Sequence, residues 1–279
     1  MTIAIASGKG GTGKTLVATN MAVSLTRKNI KTILLDCDVE APNCNLFIQA
    51  KWTDSRPVNI YVPEINEEKC TLCGNCQKVC EYNAIGVFGS SVLVFNELCH
   101  ACGGCMIACP ENAIQETEYT TGICHYGSAK GMDIVSGELN IGEAKAPPVI
   151  AAVKKSIGNN AVTIIDAPPG TSCPVVEATR DADYIILVTE PTPFGYNDLR
   201  LSVDLLNRMS KKFGVIINRS TLGDDRVKQF CVENAITILA EIPYDKSIAE
   251  AYSIGKLVID MHDFKDVFFN VYQLIKEQD

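Results

Sequence analysis

The stretch that decides the fold runs from Thr2 to Thr15 and reads Thr-Ile-Ala-Ile-Ala-Ser-Gly-Lys-Gly-Gly-Thr-Gly-Lys-Thr. Its first five residues form an apolar run typical of a strand buried on both faces. A glycine-rich segment follows, and the pattern then predicts a helix over Lys14–Arg27. Strand, glycine loop and helix in this order are typical of a phosphate-binding loop. In such a loop the backbone N–H groups and the helix N-terminus face the phosphates.

Two side chains of this loop carry further chemistry. Lys14 supplies a positive charge for the phosphates, and Thr15 supplies a hydroxyl for Mg²⁺. A glycine-rich turn without a nucleotide is the alternative, but the strand before the loop and the helix after it favour nucleotide binding. We therefore expect ATP and Mg²⁺ as cofactors. The predicted loop residues are Gly8, Lys9, Gly10, Gly11, Thr12, Gly13, Lys14 and Thr15.

Beyond this loop, short apolar runs alternate with segments of helical periodicity. The predicted strands are Thr2–Ala6, Lys31–Asp36, Val162–Asp166, Tyr184–Thr189, Val215–Asn218 and Ile236–Ala240. The predicted helices are Lys14–Arg27, Asn197–Lys212, Asp225–Asn234 and Phe264–Lys276. This alternation predicts an α/β fold with a doubly wound, mostly parallel sheet, in which ligands bind at the carboxyl ends of the strands.

Two cysteine runs interrupt this pattern. The first run is Cys70, Cys73, Cys76 and Cys80, and the second is Cys99, Cys102, Cys105 and Cys109. The sixteen residues that begin at Cys70 match those that begin at Cys99 at eight positions, which indicates an internal duplication. We therefore predict a small α+β domain at residues 61–118, inserted into an ATPase domain of residues 1–60 and 119–279. Residues 120–148 are rich in glycine and proline and are expected to return the chain to the larger domain. The sequence pattern does not assign a helix or a strand to them.

Spacings of two, two and three residues are suited to cubane iron–sulfur clusters, in which the fourth cysteine of each run ligates the other cluster. Zinc is the alternative, but structural zinc sites usually take separated pairs of ligands. The insert resembles bacterial two-cluster ferredoxins over its whole length, although Glu81 stands where the first run would usually have proline. Two 4Fe–4S clusters are expected. The first would be held by Cys70, Cys73, Cys76 and Cys109, and the second by Cys80, Cys99, Cys102 and Cys105.

Composition and charge indicate where the protein is located and which kind of partner it binds. The chain has 279 residues, 47% of them hydrophobic, and no apolar run long enough for a membrane span. It opens on a strand with no leader pattern, so we expect a cytoplasmic protein in which the thirteen cysteines stay reduced. Residues 61–118 have a net charge of −6 out of −8 for the whole chain. This charge favours a basic docking partner and argues against nucleic acid, although it could serve solubility alone.

The second lysine of the loop, Lys9, makes it resemble the deviant Walker A loop of the MinD/ParA ATPases and the nitrogenase iron protein. The resemblance covers about four fifths of the chain and implies a homodimer on ATP binding, with Lys9 reaching the partner's nucleotide. Asp36 to Pro42 resembles switch I, which implies that Asp36 organises magnesium and that Asp38 activates the attacking water. Asp166 to Gly170 resembles Walker B with switch II, which implies magnesium at Asp166. The resemblance also implies a flexible turn at Pro169 and Gly170, and purine contacts at Asn218 and Arg219.

The whole arrangement resembles MinD-superfamily ATPases with an inserted ferredoxin domain. Five cysteines lie outside the runs and are expected to be small buried residues. One alternative concerns Cys173, which lies seven residues after Asp166, the offset of a cluster-ligating cysteine in the nitrogenase iron protein. We hypothesise that Cys124 and Cys173 bind a third, dimer-bridging metal group.

Three functions are compatible with these features. The leading one is nucleotide-gated electron transfer through the two clusters to a redox or metalloprotein partner, or to a paralogous ATPase. The second is an ATP-dependent assembly or carrier protein for iron–sulfur or other metal centres. The third is a MinD-like positioning ATPase. Membrane binding is not expected, because the C-terminal helix has few basic residues and resembles a helix packed on the core.

Overall fold

The computed structural model describes residues 1–158 and 161–278 and contains one large sheet and one small hairpin. The strands are β1 Thr2–Ala6, β2 Thr32–Asp36, β3 Lys51–Ile65, β4 Ile85–Phe88, β5 Ser91–Val94, β6 Ile114–Ala129, β7 Met132–Leu139, β8 Val162–Asp166, β9 Tyr184–Thr189, β10 Phe213–Asn218 and β11 Ile238–Ile242. The helices are α1 Lys14–Arg27, α2 Asn45–Ile48, α3 Asn75–Val79, α4 Gly104–Ile107, α5 Ala146–Lys154, α6 Cys173–Thr179, α7 Pro193–Arg208, α8 Arg226–Glu233, α9 Lys246–Ser253 and α10 Val267–Glu277.

The large sheet has the strand order β11-β10-β9-β1-β8-β2-β7-β6-β3. Its first seven strands are parallel, and β6 and β3 add an antiparallel edge. Side chains alternate across β1, so that Ile3 and Ile5 pack on one face with α1 and α10, whereas Ala4 and Ala6 pack on the other with α5 and α7. The predicted mostly parallel, doubly wound α/β sheet is confirmed.

Several element boundaries differ from the sequence prediction by one to four residues, and the starts of α7 and β11 have a clear local cause. Helix α7 was predicted to begin at Asn197 but begins at Pro193, because the Oγ1 of Thr192 accepts a hydrogen bond from the N–H of Gly195 and proline suits the first helical turn. Strand β11 begins two residues later than predicted. The N–H of Ile236 instead donates to the carbonyl of Cys231 and closes α8.

The insert is connected to the sheet by one long antiparallel hairpin. Strands β3 and β6 have 15 and 16 residues, so each is about 50 Å long at the usual rise per residue. The expected domain boundaries at residues 61 and 118 lie within these strands, where Tyr61 pairs with Glu118. Beyond the hairpin, the N–H of Asn66 donates to the carbonyl of Ala113 and closes off the part with the cysteine runs. The two arms are therefore shared between the sheet and the insert.

Residues 120–148, which received no sequence assignment, complete β6, form β7 and begin α5. Strand β7 pairs in parallel with β2 and antiparallel with β6, so it joins the hairpin to the parallel part of the sheet. The insert is thereby continuous, through hydrogen-bonded strands, with the strand that ends at Asp36.

Helix α10 packs against the sheet as the sequence predicts. Its residues Phe268, Val271 and Ile275 are buried, whereas Leu274 is exposed. Among the described residues there is no helix with both the length and the apolar character needed to cross a membrane.

Candidate functional site

The predicted phosphate loop connects β1 to α1 at the carboxyl edge of the sheet. Gly13 has a φ of 103°, and a Cβ there would lie 2.5 Å from the Nδ2 of Asn218. That amide donates to the carbonyl of Thr12 over 2.8 Å. Glycine is therefore required at position 13 both for the backbone conformation and for the close approach of the loop to β10.

The acidic residues predicted for magnesium meet beside this loop. Asp36 and Asp166 are directly opposite each other in the pairing of β2 with β8. The hydroxyl of Thr15 donates to the Oδ2 of Asp166 over 2.6 Å. Parallel strands end at the same edge of a sheet, and this register brings together three side chains that are far apart in sequence.

Burial dominates the electrostatics of this group. Burial and the neighbouring Asp166 raise the pKa of Asp36 to about 8, and burial raises the pKa of Asp166 to about 6. Burial also raises the pKa of Asp38, and the positive charge of Lys14 partly offsets this rise. Burial lowers the pKa of Lys14, and the carboxylates of Asp166 and Asp38 partly offset this fall. Two buried carboxyl groups side by side with one lysine leave negative charge for a cation to balance.

Cys44 belongs to this group, and the sequence analysis did not assign it there. Its N–H donates to the Oδ2 of Asp36 over 2.9 Å, and its thiol donates to the Oδ2 of Asp166 over 3.4 Å. Potential ligand atoms of the three residues lie within 4.8 Å of one another. Burial raises the pKa of the Cys44 thiol well above its usual range, so it is a neutral thiol that donates to the carboxylate. No signal in the sequence distinguishes this cysteine from an ordinary buried one.

A cleft of about 430 Å³ opens over the phosphate loop. The residues that line it are Gly10, Gly11, Gly13, Lys14, Thr15 and Leu16 of the loop and helix, Asp38, Asn43, Asn218 and Arg219, and Pro243, Tyr244, Asp245, Ile248, Ala249 and Tyr252. The last six residues follow β11, and the sequence analysis did not find them. The rule that ligands bind at the carboxyl ends of parallel strands would have pointed to that segment.

Three buried polar atoms in the cleft or close to the phosphate loop lack protein partners. Within residues 1–158 and 161–278, the Oγ1 of Thr12, the Oδ1 of Asn43 and the Oδ1 of Asp166 are buried without a hydrogen bond. Such atoms are costly unless something satisfies them. Hydroxyl and carboxylate oxygens are the ligands that Mg²⁺ prefers, so Thr15 and Asp166 fit this ion.

The two basic side chains at the rim share one acidic partner. The Nη1 of Arg219 donates to the Oε1 of Glu190 over 2.7 Å, and the Nζ of Lys9 lies 3.7 Å from its Oε2. Glu190 directly follows β9, and the sequence analysis did not assign it. It holds Lys9 on the same side of the loop as Arg219.

The turn predicted as switch II is hydrogen-bonded to the residue before the predicted phosphate loop. The N–H of Gly170 donates to the carbonyl of Ser7 over 2.9 Å. Pro169 is exposed beside it. A shift of this turn therefore changes a contact directly before Gly8.

The eight cysteines of the two runs surround two cavities in the insert. The first cysteine cavity is lined by Cys70, Cys73, Cys76 and Cys109, and the second by Cys80, Cys99, Cys102 and Cys105. Each cavity thus takes three cysteines from one run and the last cysteine of the other. These are the two groupings that the sequence analysis predicted.

Backbone conformation repeats between the two runs at an offset of 29 residues. Leu72 and Ala101 both have a positive φ, at 57° and 53°, and so do Asn83 and Asn112, at 53° and 46°. The N–H of Ala84 donates to the sulfur of Cys80, and that of Ala113 donates to the sulfur of Cys109, each over 3.3 Å. Amides that donate to sulfur stabilise thiolate ligands. The duplication seen in the sequence is therefore also present in the fold.

Residues 3–258 match the CobQ/CobB/MinD/ParA nucleotide binding domain. The chain belongs to this family. An uncharacterized protein of Methanocaldococcus jannaschii is 32% identical over 282 residues, which cover 99% of this chain and 97% of that protein. The solved structure of the septum site-determining protein MinD of Pyrococcus horikoshii, complexed with Mg-ADP, is similar to this fold with a TM-score of 0.62 and 20% sequence identity. The comparison covers 99% of this chain and 96% of that chain. An iron-sulfur cluster carrier protein of Saccharolobus solfataricus is 22% identical over 276 residues, which are 91% of this chain and 74% of that protein.

Of the cysteines outside the runs, Cys37, Cys44, Cys124 and Cys231 are buried, as expected for small core residues, and Cys173 is exposed. Cys124 lies on β6, and burial raises its pKa to about 11. Cys173 is the first residue of α6. A metal that bridges two copies of this chain would need both thiols at the surface; Cys173 is exposed there, whereas Cys124 is buried. His125, next to Cys124, is hydrogen-bonded to Ser55.

Proposed function

We propose that this protein is an ATP-hydrolysing iron–sulfur protein. Its nucleotide-driven dimer and switch cycle would gate electron transfer through two 4Fe–4S clusters to a partner. One observation carries the proposal. A single chain combines a nucleotide cleft at the carboxyl edge of the sheet with two cavities that are each lined by four cysteines.

In the ATPase part, Lys14 and the N–H groups of the loop bind the phosphates. Thr15 and Asp166 would hold Mg²⁺, and Asp36, opposite Asp166 on the adjacent strand, would help to organise the site. Asp38 lines the cleft and orients the attacking water, and the buried environment that raises its pKa suits a group that accepts a proton. Lys9 lies at the rim with 34% of its side chain exposed, in a position to reach a nucleotide in a second copy of the chain.

In the insert, each cavity offers four thiolate ligands, which is the donor set of a 4Fe–4S cluster. Such a cluster supplies one-electron transfer. The protein's own contribution is to hold the ligands, since the turns with positive φ bend the chain around each cavity and N–H groups donate to the sulfurs. The backbone N–H of Ala101 likewise donates to the sulfur of Cys99 over 3.4 Å. Hydrogen bonds and solvent exposure of this kind set the reduction potential.

The surface of the insert fits a partner with a basic rim. Its charge of −6 favours association with a positive surface. Large apolar side chains are also exposed on it, among them Ile107, Phe88 and Tyr61. Exposed apolar residues within an acidic surround are typical of a surface that binds another protein.

The test is a redox titration, monitored by EPR, of anaerobically prepared protein with and without MgATP. We expect about eight iron atoms per chain, two low-potential signals, and a change in at least one signal on adding nucleotide. Asp38→Ala, which binds ATP but hydrolyses it slowly, serves as the control that separates binding from turnover. A protein with much less iron, or with signals indifferent to MgATP, would refute the gated mechanism.

A cluster-carrier function is the second candidate, and it is supported by the likeness to iron-sulfur cluster carrier proteins of Saccharolobus solfataricus and Aquifex aeolicus. The experiment is to mix the loaded protein with an apo-ferredoxin and to follow cluster transfer by absorbance, with and without MgATP. Transfer that requires ATP would favour a carrier. Retention of all iron through many ATP turnovers would favour electron transfer.

A further inference from the structure

Helix α5 lies between the nucleotide-binding sheet and the insert. Its residues Val149, Ile150 and Val153 are fully buried against β6 and β7. The helix also packs near switch I, the segment Asp36–Pro42. Val153 of the helix and Val39 of switch I belong to one core cluster. Both lie next to Gly137 of β7, where an added Cβ would be 2.7 Å from Val39 and 2.8 Å from Val153. The N–H of Leu139 also donates to the carbonyl of Val39 over 2.9 Å. One side of α5 is therefore packed against the first switch.

The C-terminal end of α5 is bound to the helix that follows switch II. The side chain of Lys154 is only 5% exposed, and its Nζ lies 2.7 Å from Asp181 and 3.7 Å from Glu177, with a further hydrogen bond to the carbonyl of Glu177. This bond from Lys154 lowers the pKa of Asp181. Helix α6, which contains Glu177, begins three residues after Gly170. A displacement of switch II is therefore transmitted to the buried Lys154 through its contacts with Glu177 of α6 and with Asp181, which follows that helix.

The N-terminal end of α5 reaches the second cysteine cavity. The Nζ of Lys145 donates to the carbonyl of Asn96 over 2.6 Å. The same carbonyl accepts the backbone N–H of Cys99 over 3.1 Å, and Cys99 lines that cavity. One oxygen atom thus connects the lysine of the ATPase domain to a cysteine of the insert.

The surroundings of Lys145 keep this contact in place. Its side chain is 9% exposed, pairs with Glu143 at 3.4 Å and lies 5.1 Å from the ring centre of Tyr119. Burial raises the pKa of Tyr119, as do Glu143 and Glu97. Tyr119 packs in the same small cluster as Cys99. A buried lysine with these partners has little freedom to swing away, so it moves with α5.

We propose that α5 is the mechanical link between the nucleotide switches and the second cysteine cavity, with Lys154 and Lys145 as positioning residues at its two ends. This inference rests on the proposed function. Binding of MgATP moves switch II, α6 displaces α5 through Lys154, and Lys145 shifts the turn at Asn96–Leu98 with the N–H of Cys99. The first cysteine cavity has no such contact with α5 among the residues that the structure describes.

The experiment compares potentials in variants of the full chain, each with and without MgATP. Lys145→Met keeps the length of the side chain but removes the charge. Lys78→Met is the matched control, since Lys78 is exposed on α3, two residues before Cys80, and its loss removes an equal charge beside the same cavity. Lys154→Met and the exposed neighbour Lys155→Met form a second pair. The signal of the second cavity is identified as the one perturbed by Cys99→Ser.

In the wild type, we expect MgATP to shift the potential of the second cavity more than that of the first. Lys145→Met should lower the potential of the second cavity without nucleotide, because loss of a buried positive charge disfavours the reduced cluster, and should abolish the MgATP shift. Lys154→Met should abolish the shift while nucleotide still binds, whereas Lys78→Met and Lys155→Met should keep it. A full shift in both Lys145→Met and Lys154→Met would overturn this inference alone. A wild type indifferent to MgATP would overturn the gated mechanism and the link with it.

Discussion

The glycines of the phosphate loop allow a test in which strain and steric contact are separated. Gly13→Ala places a Cβ at a φ of 103° and 2.5 Å from Asn218, whereas Gly11→Ala has a φ of 79° with nothing within 4 Å. Strain at such angles costs about 1–3 kcal/mol. Breaking the hydrogen bond from Asn218 to Thr12 adds about 1 kcal/mol. We therefore expect Gly11→Ala to cost about 1–2 kcal/mol and Gly13→Ala about 2–4 kcal/mol in unfolding free energy.

The assay is thermal unfolding without nucleotide, followed by titration with a fluorescent ATP analogue. Gly10→Ala is the control, because Gly10 does not have a positive φ and an added Cβ would have no atom within 4 Å. The unfolding free energy of this variant should stay within about 0.5 kcal/mol of the wild-type value. A loss of about 3 kcal/mol in Gly13→Ala corresponds to a melting temperature lower by roughly 6–9 °C. Its nucleotide affinity should fall at least about tenfold, since the loop N–H groups shift with the backbone. Equal melting temperatures for Gly13→Ala and Gly10→Ala would refute this reasoning.

Three further predictions concern charge, turnover and cluster ligation. The pKa of Asp36 is raised to about 8 in the fold, so the folded metal-free protein retains a proton that the unfolded chain releases, and its stability should fall as pH rises from about 5 to about 8. Thermal unfolding in EDTA should show a shallower decline for Asp36→Asn, and an identical decline would contradict the assignment. Asp38→Ala should bind ATP with near-normal affinity and hydrolyse it at least about 100-fold more slowly, as measured by phosphate release, and normal turnover would exclude its role. Cys109→Ser should lower iron from about eight to about four atoms and perturb the EPR signal that Cys70→Ser perturbs. If Cys109→Ser instead perturbed the signal that Cys99→Ser perturbs, the predicted exchange of the fourth cysteine between the runs would be wrong.

The carboxyl edge of the sheet shows how far local sequence predicts a site. The loop from Gly8 to Thr15 was predictable because its chemistry depends on neighbouring residues at fixed spacing. Asp36 and Asp166 were assigned through the resemblance to switch I and Walker B, and the apolar runs before them placed each at the end of a strand. Their distance from each other was not, since it depends on the pairing of β2 with β8.

The insert shows the same division. The spacing within each cysteine run predicted the three cysteines that group on one short loop, and the exchange of the fourth cysteine between the runs was expected from the pattern of two-cluster ferredoxins. The path of the chain into and out of the insert was not predicted. Strands β3, β6 and β7 form the end of the sheet with β3 as its edge, and their mixed polar and apolar residues give only weak periodicity.

The sequence by itself therefore determined the α/β class, the phosphate loop and the two groups of cysteines. All three follow from short-range spacing and from the apolar character of buried strands. Tertiary structure alone decided that Cys44 lies against Asp166, that Glu190 holds Lys9 and Arg219, and that Lys145 shares a carbonyl with Cys99. These contacts join residues distant in sequence that belong to no repeating pattern. They exist only because the register of the sheet and the packing of α5 bring them together.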